Sequence, residues 1–159
     1  EAGMFGADDP SNRMPMWWSD LMPYDNAEKR IQTDLSDHFR RVIAIRNTYP
    51  TMRTGSFAKI LTNDEAKIYA FERRDDEHRL IIVLNNDKSP HTVEIPLSGG
   101  GTYLDLLDPA AAHTEAGGGI RSVRNLIRIA PDAPRLQPKN GLLKIDLGPK
   151  GAGVLLEIP

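Results

Sequence analysis

The densest chemistry in the sequence lies in residues 6 to 18, GADDPSNRMPMWW. Asp8 and Asp9 set two carboxylates side by side, Arg13 follows Asp9 by four positions, and the indoles of Trp17 and Trp18 close the stretch. Pro10 fixes its own φ and biases Asp9 toward an extended backbone, so carboxylate and guanidinium are held on a short stiff loop. A carboxylate accepts from two neighbouring hydroxyls while a guanidinium donates in a fixed fork, which suits the clasping of one sugar ring. An Asp9–Arg13 ion pair that only braces the loop fits the same spacing, and DDPSNR is ordinary turn chemistry. Spacing by itself favours the brace. Trp17 offers a stacking face for a sugar ring; adjacent indoles usually divide their duties between surface and interior.

The elements that carry this loop change character along the chain. Residues 1 to 25 contain Gly3, Gly6, Pro10, Pro15 and Pro23, too many breakers for a regular element. Asp25 with Glu28 three residues on predicts a helix start, and Ile31, Leu35, Phe39, Val42, Ile43 and Ile45 follow helical spacing until Pro50. Ile31, Leu35, Phe39 and Val42 are expected to pack this helix on the C-terminal two thirds of the chain.

After Gly55 the period becomes two. HTVEIPL and LLKIDL alternate as half-buried antiparallel strands, whereas KIYAFERR and RLIIVLNN are apolar on both faces and belong in mid-sheet, joined through DDEH as a hairpin. SFAKIL and GVLLEI bring the named strands to six, and the unit is expected to hold about seven strands without a helix. The fold class is therefore mainly β, an antiparallel β-sandwich of Greek-key type over 55–159. Residues 109 to 140 lack a period and read as a loop insertion. Arg121, Arg124 and Arg128 there suit an anion site or, by preference, a charged edge strand that resists aggregation.

Bulk properties exclude several classes. The chain of 159 residues, 40% hydrophobic and 26% charged, is large enough for one solid core and an appended element. A net charge of −2 with dispersed basic residues gives no field for nucleic acid or an anionic membrane. The longest apolar run, Leu80 to Leu84, is too short to span a bilayer, and the N-terminus lacks the order of a signal peptide; EAGMFG reads as the middle of something. Cysteine is absent, which removes disulfides and thiolate metal sites and leaves the compartment open. His38, His78, His91 and His113 fall at no ligand spacing, so neither metal nor cofactor is expected.

EAGMFGADDPSNRMPMWW, then LSDHFRRVIAIRNTYPTMRTGSF, then a strand-rich tail resembles the C-terminal end of glycoside hydrolase family 13, the α-amylase family, in its neopullulanase- and cyclomaltodextrinase-like branch. In that family the eighth barrel strand ends in a Gly-Asp-Glu-x-Gly-Met-like stretch. A loop with Asp-Pro-x-x-Arg and Pro-Met-x-Trp follows, then the last barrel helix, then a β-sandwich. The resemblance implies that 1–54 close a (β/α)8 barrel and that 55–159 form the C-terminal sandwich.

It further implies that the parent cleaves α-glucosidic bonds with retention, by a carboxylate nucleophile, a carboxylic acid and a third carboxylate from earlier strands. None of the three maps onto this chain, which alone is expected to be inactive; Glu1 corresponds to the glutamate closing the eighth strand. Asp9 and Arg13 map onto the pair that contacts substrate on the non-reducing side, and Trp18 onto a structural tryptophan. Met14 departs from the second arginine common in that branch. The implied partners are an α-glucan or maltooligosaccharide and the rest of the barrel.

Two other classes remain for the sandwich: a carbohydrate-binding module, or a structural or homodimerisation unit. Beyond Gly55 the aromatic rings are Phe57, Tyr69, Phe71 and Tyr103. Burial is expected to claim Tyr69 and Phe71, which leaves too few for a stacking platform.

Overall fold

The computed structural model describes residues 8–10, 13, 32–115 and 126–158. Helix α1 spans Thr33–Thr48. Asp34 in its first turn and Arg46 in its last complement the helix dipole, and the Tyr49 N–H closes it on the Ile45 carbonyl at 3.0 Å. Gln32, at φ −77° and ψ 99°, is extended, so α1 itself begins at Thr33. Asp25, Glu28 and Ile31 lie outside the described residues. Pro50, whose fixed φ suits a helix start, opens the single turn α2, Thr51–Thr54.

Nine strands are present among the described residues. Five form one antiparallel sheet in the order β1 (Ser56–Asn63), β2 (Ile68–Arg74), β3 (Arg79–Asn85), β9 (Ala152–Ile158) and β5 (Thr102–Asp105). β4 (His91–Pro96) pairs with β8 (Leu142–Leu147), and β6 (Ala112–Glu115) with β7 (Leu126–Ile129). The DDEH hairpin forms as expected: Asp75 accepts from the Glu77 and His78 N–H groups through Oδ1, and its own N–H donates to the His78 carbonyl.

β3 explains the architecture. Ile81 and Val83 point into a core shared with Ile95, Leu143 and Leu155, between the five-stranded sheet and the β4–β8 pair. Leu80 and Ile82 point the other way, into a second core with Ala44, Ile45, Leu106 and Ile127 beneath α1. A strand covered on both sides has to be apolar on both sides, as RLIIVLNN is. β4 and β8 show a single buried face: Val93 and Ile95 meet Leu143 and Ile145 inside. Outside, Glu94 pairs with Lys144 at 2.7 Å and the Thr92 hydroxyl donates to Asp146 at 2.6 Å. Gly153 lets the layers close, since a Cβ there would sit 2.6 Å from Ile145 Cδ1.

Three expectations are corrected. Residues 109–140 are not simply a looped insertion, because β6 and β7 form a hairpin against α1. Four-residue strands are too short to display a period, and Arg121 and Arg124 lie outside the described residues. Arg128 pairs on the exposed side of that hairpin with Glu115, at 2.7 Å. Farther on, Leu136 exchanges two 2.8 Å backbone bonds with Tyr103 and extends the sheet beyond β5.

The packing face of α1 is also different. Ala44 and Ile45 are buried, while Phe39, Val42 and Ile43 are 38%, 41% and 45% exposed. The seam runs instead through Arg41, Ala44, Ile45 and Thr48. Arg41 Nη1 donates to the Ala112 carbonyl at 2.5 Å, and Thr48 Oγ1 accepts from the Ile127 N–H at 2.9 Å. Small Ala44 permits close approach, and the two polar residues satisfy hairpin backbone that an apolar stripe would leave unpaired.

The third correction concerns the rings. Tyr69 and Phe71 are only half-buried; with Phe57, 56% exposed, they make a row at centroid spacings of 5.1 and 5.7 Å.

Candidate functional site

The structure brings Asp9 and Arg13 together. Arg13 Nε lies 2.6 Å from Asp9 Oδ1 and its Nη2 3.0 Å from Oδ2, a two-pronged pairing of fork with carboxylate. A turn organises it: the Arg13 N–H donates to the Pro10 carbonyl at 3.0 Å, and the Asp9–Pro10 peptide is cis. Both side chains are mostly exposed, so the pair presents free acceptor lone pairs and further N–H donors to solvent. Trp17 and Trp18 lie outside the described residues, so the indoles are not placed relative to the pair.

A second polar constellation, which sequence reasoning missed, closes one end of the sandwich. Arg79 Nε donates to Glu72 Oε2 at 2.7 Å, Arg79 Nη1 to the Tyr103 hydroxyl at 3.1 Å, and that hydroxyl to Glu157 Oε1 at 2.9 Å. Tyr103 is fully buried, and the carboxylates and guanidinium are mostly so. Burial, followed by the hydrogen bond to Glu157, pushes the Tyr103 hydroxyl up to about 12. Burial works against the Arg79 cation, yet the Glu72 hydrogen bond, with Tyr103 and Glu157 nearby, holds it above its ordinary value. The Arg79 guanidinium therefore stays charged and the Tyr103 hydroxyl stays protonated across the ordinary pH range. Its signal in the sequence was faint: Glu72 and Arg79 are charges at the turn-facing ends of strands that are otherwise apolar.

Beside this network opens a cleft of about 620 Å³ between the β2–β3 turn and the loop that contains Gly100 and Gly101. On the turn side Asp75 is committed: the Thr51 hydroxyl donates to Oδ2 at 2.5 Å, and this bond, with the His78 and Glu77 N–H groups, holds its carboxyl below the usual range. His78 meets the Tyr49 ring edge-on, at 5.1 Å between centroids. The other sequence candidates are dispersed. His38 is on α1, His91 lies 3.0 Å from Asp87, and His113 is on β6. No group of three or more metal-ligating side chains converges among the described residues.

The geometry has its counterpart in known proteins. Residues 58–121 match the family model of the maltogenic amylase C-terminal domain. Neopullulanase 2 of Thermoactinomyces vulgaris is 32% identical over 119 residues, 74% of this chain and 19% of that protein. A cyclomaltodextrinase of a Bacillus species is 32% identical over 99 residues, 62% of this chain and 16% of that protein. The chain thus spans under a fifth of the length of these relatives. Among solved structures, a cyclomaltodextrinase matches 99% of this chain and 22% of its own at a TM-score of 0.66 and 21% identity. The acarbose-complexed α-amylase of Geobacillus thermoleovorans matches 100% and 28%, at a TM-score of 0.66 and 16% identity, a likeness of fold.

The fold and these matches define a C-terminal β-sandwich domain of the kind that ends α-amylase-family enzymes. The chain belongs to that family, as a C-terminal part of one of its members.

Proposed function

We propose that this chain serves an enzyme that hydrolyses α-glucosidic bonds with retention, in the branch of the neopullulanases and cyclomaltodextrinases. The chain contributes two things. The loop of Asp9 and Arg13, with Trp17 as a stacking face and Trp18 as a structural support, forms part of a substrate subsite at the barrel rim. The sandwich that begins near residue 55 steadies the last barrel helix, and residues 1–54 complete the barrel. No residue of the chain is assigned a catalytic role.

The observation that carries this reading is the double-sided character of α1. One side is buried on the sandwich through Ala44 and Ile45; Phe39, Val42 and Ile43 remain exposed in a row on another. A helix that is apolar on more than one side belongs between two bodies. The barrel supplies the second. The half-exposed row of Phe57, Phe71 and Tyr69 supports the alternative of a carbohydrate-binding or dimerising sandwich, since exposed rings are what such surfaces use.

The test is to express the uninterrupted gene product and this chain separately, and to offer both cyclodextrin, pullulan and starch. The long protein should release products with retained α configuration, and the chain should release none. Steady product release by the clean chain, or an inert long protein, overturns the reading.

A further inference from the structure

The cleft at the end of the sandwich has no part in the Asp9–Arg13 subsite, and its chemistry specifies a ligand. Its size, about 620 Å³, is that of small-molecule sites. Charges of both signs line it, Asp76 and Glu77 against Arg74, while Arg79 and Asp75 are already satisfied by protein partners. An anion would meet several carboxylates, and the described carboxylates do not converge into a cation site. What remains is hydrogen-bonding capacity: the second oxygen of Glu157, the Thr102 hydroxyl and the Gln137 amide, beside the apolar Pro138 and Ile158. Neutral hydroxyls above a small apolar floor fit such a lining.

Two details mark the cleft as built rather than incidental. Among the described side chains, His78 Nδ1 is the buried polar atom without a hydrogen-bond partner, and His78 lines this cleft. Glu77 Oε2 stands 3.9 Å away, too far to serve. Nδ1 itself is sealed from solvent beside the Tyr49 ring, so it is the rest of the half-buried imidazole that forms part of the cleft wall. A Cβ at Gly101 would press on Glu157 Oε1, the end of a flexible side chain, and would push that carboxylate aside. The missing side chain is what lets Glu157 lie along the cleft.

From this geometry we infer that the cleft between the β2–β3 turn and the Gly99–Gly101 loop is a second, non-catalytic site for a short neutral α-glucan, seating one or two glucosyl units. The sugar's identity rests on the proposed function of the parent enzyme. Such a site would hold a long substrate on the sandwich while its far end is in the barrel, raising the local concentration of chain ends.

The test is a titration of the isotopically labelled 159-residue chain with maltotriose, read by amide chemical shifts. Saturable shifts should appear at Asp76, His78 and Gly100. A Cβ added at Gly100 meets nothing within 4 Å, so Gly100→Phe fills the cleft mouth without disturbing the fold. It should weaken binding at least about tenfold while the melting temperature stays unchanged. Absence of cleft shifts, shifts confined to Phe57, Tyr69 and Phe71, or unchanged affinity in Gly100→Phe each overturn the inference. Calcium chloride or inorganic phosphate moving the same amides at lower concentration overturns it as well. If the long enzyme cleaves α-glucans while this chain ignores maltotriose, the inference alone falls. If the cleft answers cellotriose and not maltotriose, the inference falls and the α-glucan reading is weakened with it.

Discussion

Arg41 on α1 reaches across the helix seam to the Ala112 carbonyl, 2.5 Å from Nη1, with the Leu106 carbonyl at 3.5 Å. A guanidinium thus stands where an amphipathic pattern would put a leucine, tying the helix to backbone on both sides of the β5–β6 connection. Arg41→Ala leaves those part-buried carbonyls underpaired and should cost about 1–3 kcal/mol. For a domain of this size that is roughly 2–4 °C of melting temperature per kcal/mol. Arg40, one position away, pairs on the surface with Asp37 at 3.3 Å. Arg40→Ala should therefore change stability by less than about 0.5 kcal/mol. Equal losses from both would refute the role given to Arg41.

The two faces of α1 make opposite predictions. Ile45, 2% exposed, should cost about 2–5 kcal/mol when cut to alanine in this chain. Phe39→Ser with Ile43→Ser should be nearly silent in the same chain, yet destabilise the long enzyme, where the barrel is proposed to cover that row. Denaturant melts of both proteins decide it. A silent double variant in the long enzyme would leave the second face without a partner.

For the Asp9–Arg13 pair the test is chain length. If the pair holds a glucosyl unit, Asp9→Ala and Arg13→Ala in the long enzyme should lower kcat/KM by about 1–3 kcal/mol on oligosaccharides that fill the subsite. Shorter ones should be affected much less. The mutual pairing seen here, Nε to Oδ1 at 2.6 Å, is equally what a loop brace requires. A brace would slow every substrate alike and lower the melting temperature as well.

Asp87 gives the acid-side prediction. The hydrogen bond from His91, then the Lys88 N–H and the Lys67 ammonium, lower its carboxyl to about 2. Its folded pKa lies below the unfolded value of about 3.9, so the native state favours the ionised form. The stabilisation is complete above that unfolded value and disappears as pH falls from near 4 through 2. Asp87→Asn should therefore be less stable than the parent at pH 7, and the two should converge by pH 2. Urea melts at pH 7, 4 and 2 read this directly. A gap that does not narrow would contradict the assignment.

Strands long enough to repeat were legible from the sequence: HTVEIPL and LLKIDL alternate, RLIIVLNN does not, and each sits in the layer its pattern demands. Helix packing was not legible, because polarity misled. Arg41 and Thr48 are half-buried at the seam for the hydrogen bonds they make to a hairpin whose four-residue strands have no period. Of the candidate site, proximity in sequence brought Asp9 to Arg13, whereas Glu72, Arg79, Tyr103 and Glu157 come from four strands. Such a network depends on sheet order, which spacing along the chain does not encode.

That sheet order also has a temporal side. β9, Ala152–Ile158, is inserted between β3 and β5, so a strand made after both takes its place between them. On the ribosome β1, β2 and β3 can form a meander, but the far edge of β3 stays open until residue 158 has emerged. During that interval the LIIVL edge is a template for any other strand. Nascent chains stalled before Ala152 should therefore be strong clients of chaperones, and the emergence of β9 is the event that closes the sheet.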